Sequence, residues 1–172
     1  MHMADALVSP AVGASFWAVS AGLIGYASKK IKDAPDDRII PLMGVMAAFI
    51  FAAQMINFSI PMTGSSGHFG GGMILAVVLG PNAAFLAMVS VLTVQALFFA
   101  DGGLLALGCN IFNLGLLPCY VVYPLIWYGL IGKKPTPNKI VVGSIVGSAV
   151  SLQLGAFGVV LETAASGVSE LP

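Results

Sequence analysis

Long apolar runs, broken by charge at only a few places, set the first expectation for this chain. Residues 6–28, 39–100, 102–132 and 140–161 contain no Asp, Glu, Lys or Arg. A helix that crosses a bilayer needs about 20 mostly apolar residues. The pattern predicts six spans, at about residues 10–28, 39–57, 68–80, 82–99, 104–131 and 139–161. The third is short and ends at a turn, Gly80-Pro81-Asn82. It suits either a crossing or a half-helix entered through an irregular loop. The expected fold is all-α, a polytopic transmembrane helix bundle forming a single domain over residues 1–172.

Composition supports this solvent. The chain is 58% hydrophobic and 8% charged, whereas soluble domains carry about 25% charged residues. So few charges cannot coat a water-facing surface. Net charge is zero, and no basic stripe exists to neutralise phosphates, which excludes nucleic acid as a partner. Cys109 and Cys119 lie ten residues apart in one apolar run. On a helix that spacing is about 15 Å along the axis, too far for a disulfide. The first residues, MHMADALVSP, lack the basic region of a cleaved signal peptide. A native, retained start is expected.

Charge position gives an orientation. All seven basic residues fall in two segments: Lys29, Lys30, Lys32 and Arg38 in one, Lys133, Lys134 and Lys139 in the other. The positive-inside rule assigns both to the cytoplasm. An even number of crossings must separate them, so the short third segment has to cross. The N-terminus, the 58–68 loop, the 100–103 turn and the C-terminus as given then lie outside. Four of the seven acidic residues (Asp5, Asp101, Glu162 and Glu170) fall on that side. So do His2 and His68, the only two histidines.

Those histidines carry the candidate chemistry. A free amino terminus, the Met1–His2 amide nitrogen and the His2 ring close a five-membered and a six-membered chelate ring on one ion. That is three nitrogens in a plane, and the His68 ring can supply a fourth. Four planar nitrogens suit Ni(II) or Cu(II), whereas Mg²⁺ and Ca²⁺ prefer oxygen. The scheme needs Met1 retained, which the large second residue favours. His68 lies in TGSSGHFGGG, residues 63–72, where five of ten positions are glycine. Helix packing does not require such a run. Non-helical backbone at membrane depth is tolerated where protein or water covers it, which marks a functional loop.

Other polar residues in the spans, Gln54, Asn57, Gln95, Asn110, Asn113 and Gln153, read mostly as hydrogen bonds between helices. Asp5, Asn57, Ser66 and Asn110 are candidates to support the metal ligands. Small residues four apart, at Ala14 and Ala18, Ala21 and Gly25, and Gly143 and Gly147, predict close helix approach.

The motifs MHMADALVSP and TGSSGHFGGG, with the block LGPNAAFLAMVSVLTVQALFFADGGLLALGCNIFNLGLLP, resemble the CbiM/NikM family over most of residues 1–130. Ala4 and Ala6 stand where many relatives have Pro and Gly. Relatives also usually continue into a further helix, so a seventh span is expected if this chain is truncated. The resemblance implies a substrate-binding membrane subunit of an energy-coupling-factor (ECF) transporter for Ni²⁺ or Co²⁺ in the cytoplasmic (inner) membrane. It implies a transmembrane coupling subunit, two ATPases and often a small accessory membrane protein as partners. It also implies that Met1, His2 and His68 hold the metal, as the chelate chemistry does.

The expected role is capture without catalysis, with the metal ion as cargo and no cofactor. A phosphate-binding GxxxxGK loop does not occur in the sequence, so ATP would be hydrolysed by partners. An intramembrane metalloprotease would need something like HExxH, which two histidines without a paired carboxylate do not provide. A passive metal channel or a structural membrane protein is the remaining alternative.

Overall fold

The computed structural model of the chain describes residues 2–61, 65–132 and 134–168. The N-terminal segment enters through a single 3-10 turn, Asp5–Leu7. Six helical segments follow: α1 (Pro10–Asp33), α2 (Ile39–Gln54), α3 (Gly72–Leu79), α4 (Pro81–Phe98), α5 (Leu107–Ile131) and α6 (Pro137–Ser166).

Local chemistry explains several of these ends. Ser9 caps α1 through its Oγ, which accepts from the Val12 N–H at 3.4 Å, with Pro10 in the first turn. Thr136 and Pro137 repeat the arrangement at α6, where Thr136 Oγ1 accepts from the Lys139 N–H at 3.4 Å. Both follow the preference for a hydroxyl cap followed by proline, whose missing N–H costs nothing in a first turn. Gly80 separates α3 from α4 at φ 74°, and Pro81 starts α4 at the expected turn. Within α5, residues Phe112–Trp127 widen to π geometry, and this stretch contains Pro118 and Pro124. A proline in an α-helix removes one N–H and crowds the carbonyl four residues back, and the wider turn leaves more room for the ring.

Four helices are long and apolar enough to cross a membrane: α1, α4, α5 and α6. The expected six spans therefore correspond to four long helices, the shorter apolar helix α2 and the much shorter α3. With eight residues, α3 extends only about 12 Å. It starts at Gly72 rather than at 68, because residues 69–71 are irregular. The all-α expectation also needs correction in the 57–68 region. Asn57–Ile60 (β1) and Ser65–His68 (β2) pair antiparallel, with Asn57 opposite His68 and Phe58 opposite Gly67. The pairing satisfies the backbone groups that face each other across the hairpin.

The main core lies around α4. Phe85, Met88, Leu92, Leu75, Ile111 and Leu114 are buried there. Large apolar side chains such as Val45, Phe98, Leu125, Ile145 and Phe157 are exposed, as expected where lipid is the solvent. Helix approach depends on small residues, though not always those four apart. On α1 the buried positions are Gly13, Ser20 and Ala27, whereas Ala14, Ala18, Ala21 and Gly25 face outward. Ser20 donates to the Gly108 carbonyl of α5 at 3.1 Å. A Cβ on Gly108 would lie 2.5 Å from the Trp17 nitrogen, so the two backbones touch there. Gly143 and Gly147 are buried in α6. Cys109 and Cys119 are free and buried.

Candidate metal centre

The N-terminal segment is tucked into the protein rather than frayed. Met3 is fully buried, in a small apolar cluster with Val8, Ala106 and Cys109. Burying a methionine from water contributes about 1.5–3 kcal/mol. Polar contacts set the register of the segment. The Met3 N–H donates to Asn110 Oδ1 at 2.8 Å. The Met3 carbonyl accepts from Asn110 Nδ2 at 3.3 Å and from the Gly103 N–H at 3.1 Å. Asp5 Oδ1 accepts from the Ala106 N–H at 2.9 Å. Two glycines make room for this: Gly102 has φ 91°, and a Cβ on Gly103 would collide with the Asp5 carboxylate.

This anchoring delivers His2 to His68. The two rings stack with centroids 4.5 Å apart and planes 16° from parallel. His2 is buried, with 4% exposure. Its Nδ1 lies 3.2 Å from Asp101 Oδ1, an ion-pair distance without hydrogen-bond alignment. Among the described residues, both His2 ring nitrogens, His68 Nε2 and Asp101 Oδ2 are buried without a hydrogen-bond partner. His68 Nδ1 lies 2.9 Å from the Phe69 carbonyl. When Nδ1 carries the proton and donates there, the Nε2 lone pair is free.

Electrostatics keep His68 a neutral donor. Burial above all, then the N-terminal charge and His2, push its pKa down to about 4. The polar contact with the His2 ring holds Asp101 below the usual carboxylate range, against the opposing effect of burial.

The expected site residues divide as follows. His2 and His68 come together, Asn110 holds the Met3 backbone beside His2, and Asp5 ties down the N-terminal segment through Ala106 rather than through the His2 ring. Asn57 is opposite His68 in the hairpin but exposed. Ser66 takes its place in β2 opposite Ser59, and its side chain lies outside the described residues. Met1 also lies outside them. Among the described residues no group of three His, Cys, Asp or Glu side chains is arranged to hold an ion. Asp101 is the site residue that sequence reasoning missed. The signal was present, since it is the only Asp, Glu, Lys or Arg in residues 39–132 and falls on the histidine side by charge parity. A second buried pair joins α5 to α6, as expected of Asn113, with a partner the sequence did not name: Asn113 Nδ2 donates to Glu162 Oε2 at 2.7 Å.

Comparison with known proteins identifies the family. Residues 2–171 match the sequence model of the CbiM family, described as the cobalt uptake substrate-specific transmembrane region. A protein of Haloquadratum walsbyi named as a metal transport protein is 47% identical over 130 residues, covering 76% of this chain and 57% of that protein. The fused nickel transport protein NikMN of Rhodobacter capsulatus is 36% identical over 117 residues, 68% of this chain and 33% of its own length. The crystal structure of a truncated transition metal transporter superposes with a TM-score of 0.86 at 32% identity, covering 95% of this chain and 74% of that one. The chain spans about half or less of the length of these two sequence relatives. With its apolar helices and its match over nearly the whole length, the chain belongs to the CbiM/NikM family of nickel and cobalt transport proteins.

Proposed function

We propose that this chain is the substrate-capture subunit of an ATP-driven ECF transporter that imports Ni²⁺ or Co²⁺ across the cytoplasmic membrane. The Met1 amine, the His2 amide nitrogen, the His2 ring and the His68 ring hold the ion. The carrying observation is the meeting of the only two histidines, 66 positions apart in sequence, with ring nitrogens left unpartnered among the described residues. The ring planes lie nearly parallel, so one ring has to turn for both to direct a nitrogen at the same ion. Asp101 beside His2 can orient that ring. In this reading the short α3 crosses only together with the irregular chain before it, the histidines face outside, and the basic segments face the ATPases. The coupling subunit, the two ATPases and often a small accessory membrane protein supply the energy and the docking partners. Four planar nitrogens favour nickel over cobalt.

Titration of the purified protein with Ni²⁺, with an authentic N-terminus, tests the ligand set. His68→Ala and acetylation of the N-terminal amine are each expected to weaken binding by more than tenfold. Unchanged affinity in both would refute the assignment and leave a channel or structural role in its place.

A further inference from the structure

Two buried glutamines connect the two halves of the metal centre. Gln54 ends α2, Gln95 lies in the last turn of α4, and both are fully buried. Gln54 Nε2 donates to the Gly70 carbonyl at 2.8 Å, two residues beyond His68. Gln54 Oε1 accepts from Gln95 Nε2 at 2.9 Å. The main-chain carbonyl of Gln95 accepts from the Asp101 N–H at 3.2 Å. The path then closes on His2 through Asp101 Oδ1, 3.2 Å from Nδ1. A continuous polar path thus runs from the chain just after His68 to the carboxylate beside His2.

The amide orientations follow from the path itself. Gln54 commits its nitrogen to the Gly70 carbonyl, which leaves its oxygen for Gln95. Flipping either amide would set oxygen against oxygen or nitrogen against nitrogen.

We propose that Gln54 and Gln95 form a positioning strut that sets the distance between the His68 loop and the Asp101 turn, and so the approach of the two imidazoles. The proposal rests on the reading of His2 and His68 as ligands. Two observations favour positioning over plain helix adhesion. Apart from these amides and Ser90, whose hydroxyl bonds within its own helix, the α2–α4 seam is apolar, with Ile50, Met88, Val91 and Leu92 buried around it, so packing alone does not require amides there. The chain after His68 is Phe-Gly-Gly-Gly, with Gly71 at φ 79°, and such a run holds no conformation of its own. Gln54 provides a fixed hydrogen bond to that run. Groups that orient metal ligands from outside the coordination sphere are typically worth 10–100-fold in affinity.

Gln54→Met and Gln95→Met replace each amide by an apolar chain of similar length. Ni²⁺ affinity, the visible ligand-field band of the Ni²⁺ complex and thermal unfolding are measured on the full-length protein with an authentic N-terminus. Each variant is expected to bind Ni²⁺ about 10–100-fold more weakly and to shift the band. The double variant should be little weaker than the worse single one, because the path is already broken. Unchanged affinity and band overturn the proposal, and so does weaker binding with an unchanged band, or a lowered melting temperature alone. If the methionine variants do not fold, Gln54→Asn keeps the amide but withdraws it by one methylene, and the same outcomes apply. His68→Ala run alongside separates the two readings. If it abolishes binding while the glutamine variants bind as wild type, only the strut falls. If it leaves affinity unchanged, the ligand assignment falls and the strut with it.

Discussion

His68 is held neutral by burial, and this links folding to pH. The unfolded chain takes up its proton near 6.5, the folded protein only near about 4. Between those values the unfolded state binds more protons, so the contribution is complete above 6.5 and is lost as pH falls towards 4. The melting temperature of the metal-free protein should therefore fall over that window, and the fall should be shallower in His68→Ala. An equal slope in the variant would exclude His68 as its source. Asp101, held below the ordinary carboxylate range by its contact with His2, adds its loss at lower pH still. At this scale the sequence was informative about donors and poor about their neighbours. His2 and His68 stood out because each is chemically singular and no other histidine competes. Asp101 did not, because an acid in an outer turn is ordinary until the fold sets it 3.2 Å from His2 Nδ1.

Elements were legible where local chemistry decides them. Gly80-Pro81 broke the chain where expected, since a left-handed glycine followed by a ring-locked φ leaves few alternatives. The long spans appeared within a few residues of their expected bounds. The 57–72 region was less legible, because a glycine-rich run is compatible with many backbones and only tertiary contacts select the hairpin and late helix start. The small-residue pattern also misled on α1. Its inner face follows Gly13, Ser20 and Ala27, a seven-residue repeat set by where α5 crosses rather than by the four-residue motif. That crossing is tight at Gly108, so Gly108→Ala should destabilise the protein by about 1–3 kcal/mol through overpacking against Trp17. Thermal unfolding in detergent measures this, and a wild-type melting temperature would show that the helices separate without cost.

For the whole molecule, the arrangement places the stacked histidine pair at one end of a bundle whose sides are apolar. The two basic segments, around Lys30 and Lys134, are expected together on the opposite, cytoplasmic side. Single cysteines introduced at Lys30 and Lys134, in a background with Cys109 and Cys119 replaced, should react with an impermeant maleimide only after cells are opened. A cysteine at Leu104, next to the Asp101 turn and exposed, should react in intact cells. Labelling of all three from outside would overturn the orientation.

The sequence by itself determined the solvent, the helical class, the clustering of charge and which two side chains carry imidazoles. These depend on residue type and spacing along one chain, which need no partner to act. The tertiary structure alone decided which polar groups meet. Asn110 holds Met3, Asp101 faces His2, Gln54 reaches Gly70, and Asn113 engages Glu162. Each of these pairs joins residues 16 to 107 positions apart. Amides and carboxylates bond equally well to many partners, and only the packing of the apolar helices brings these particular ones within reach.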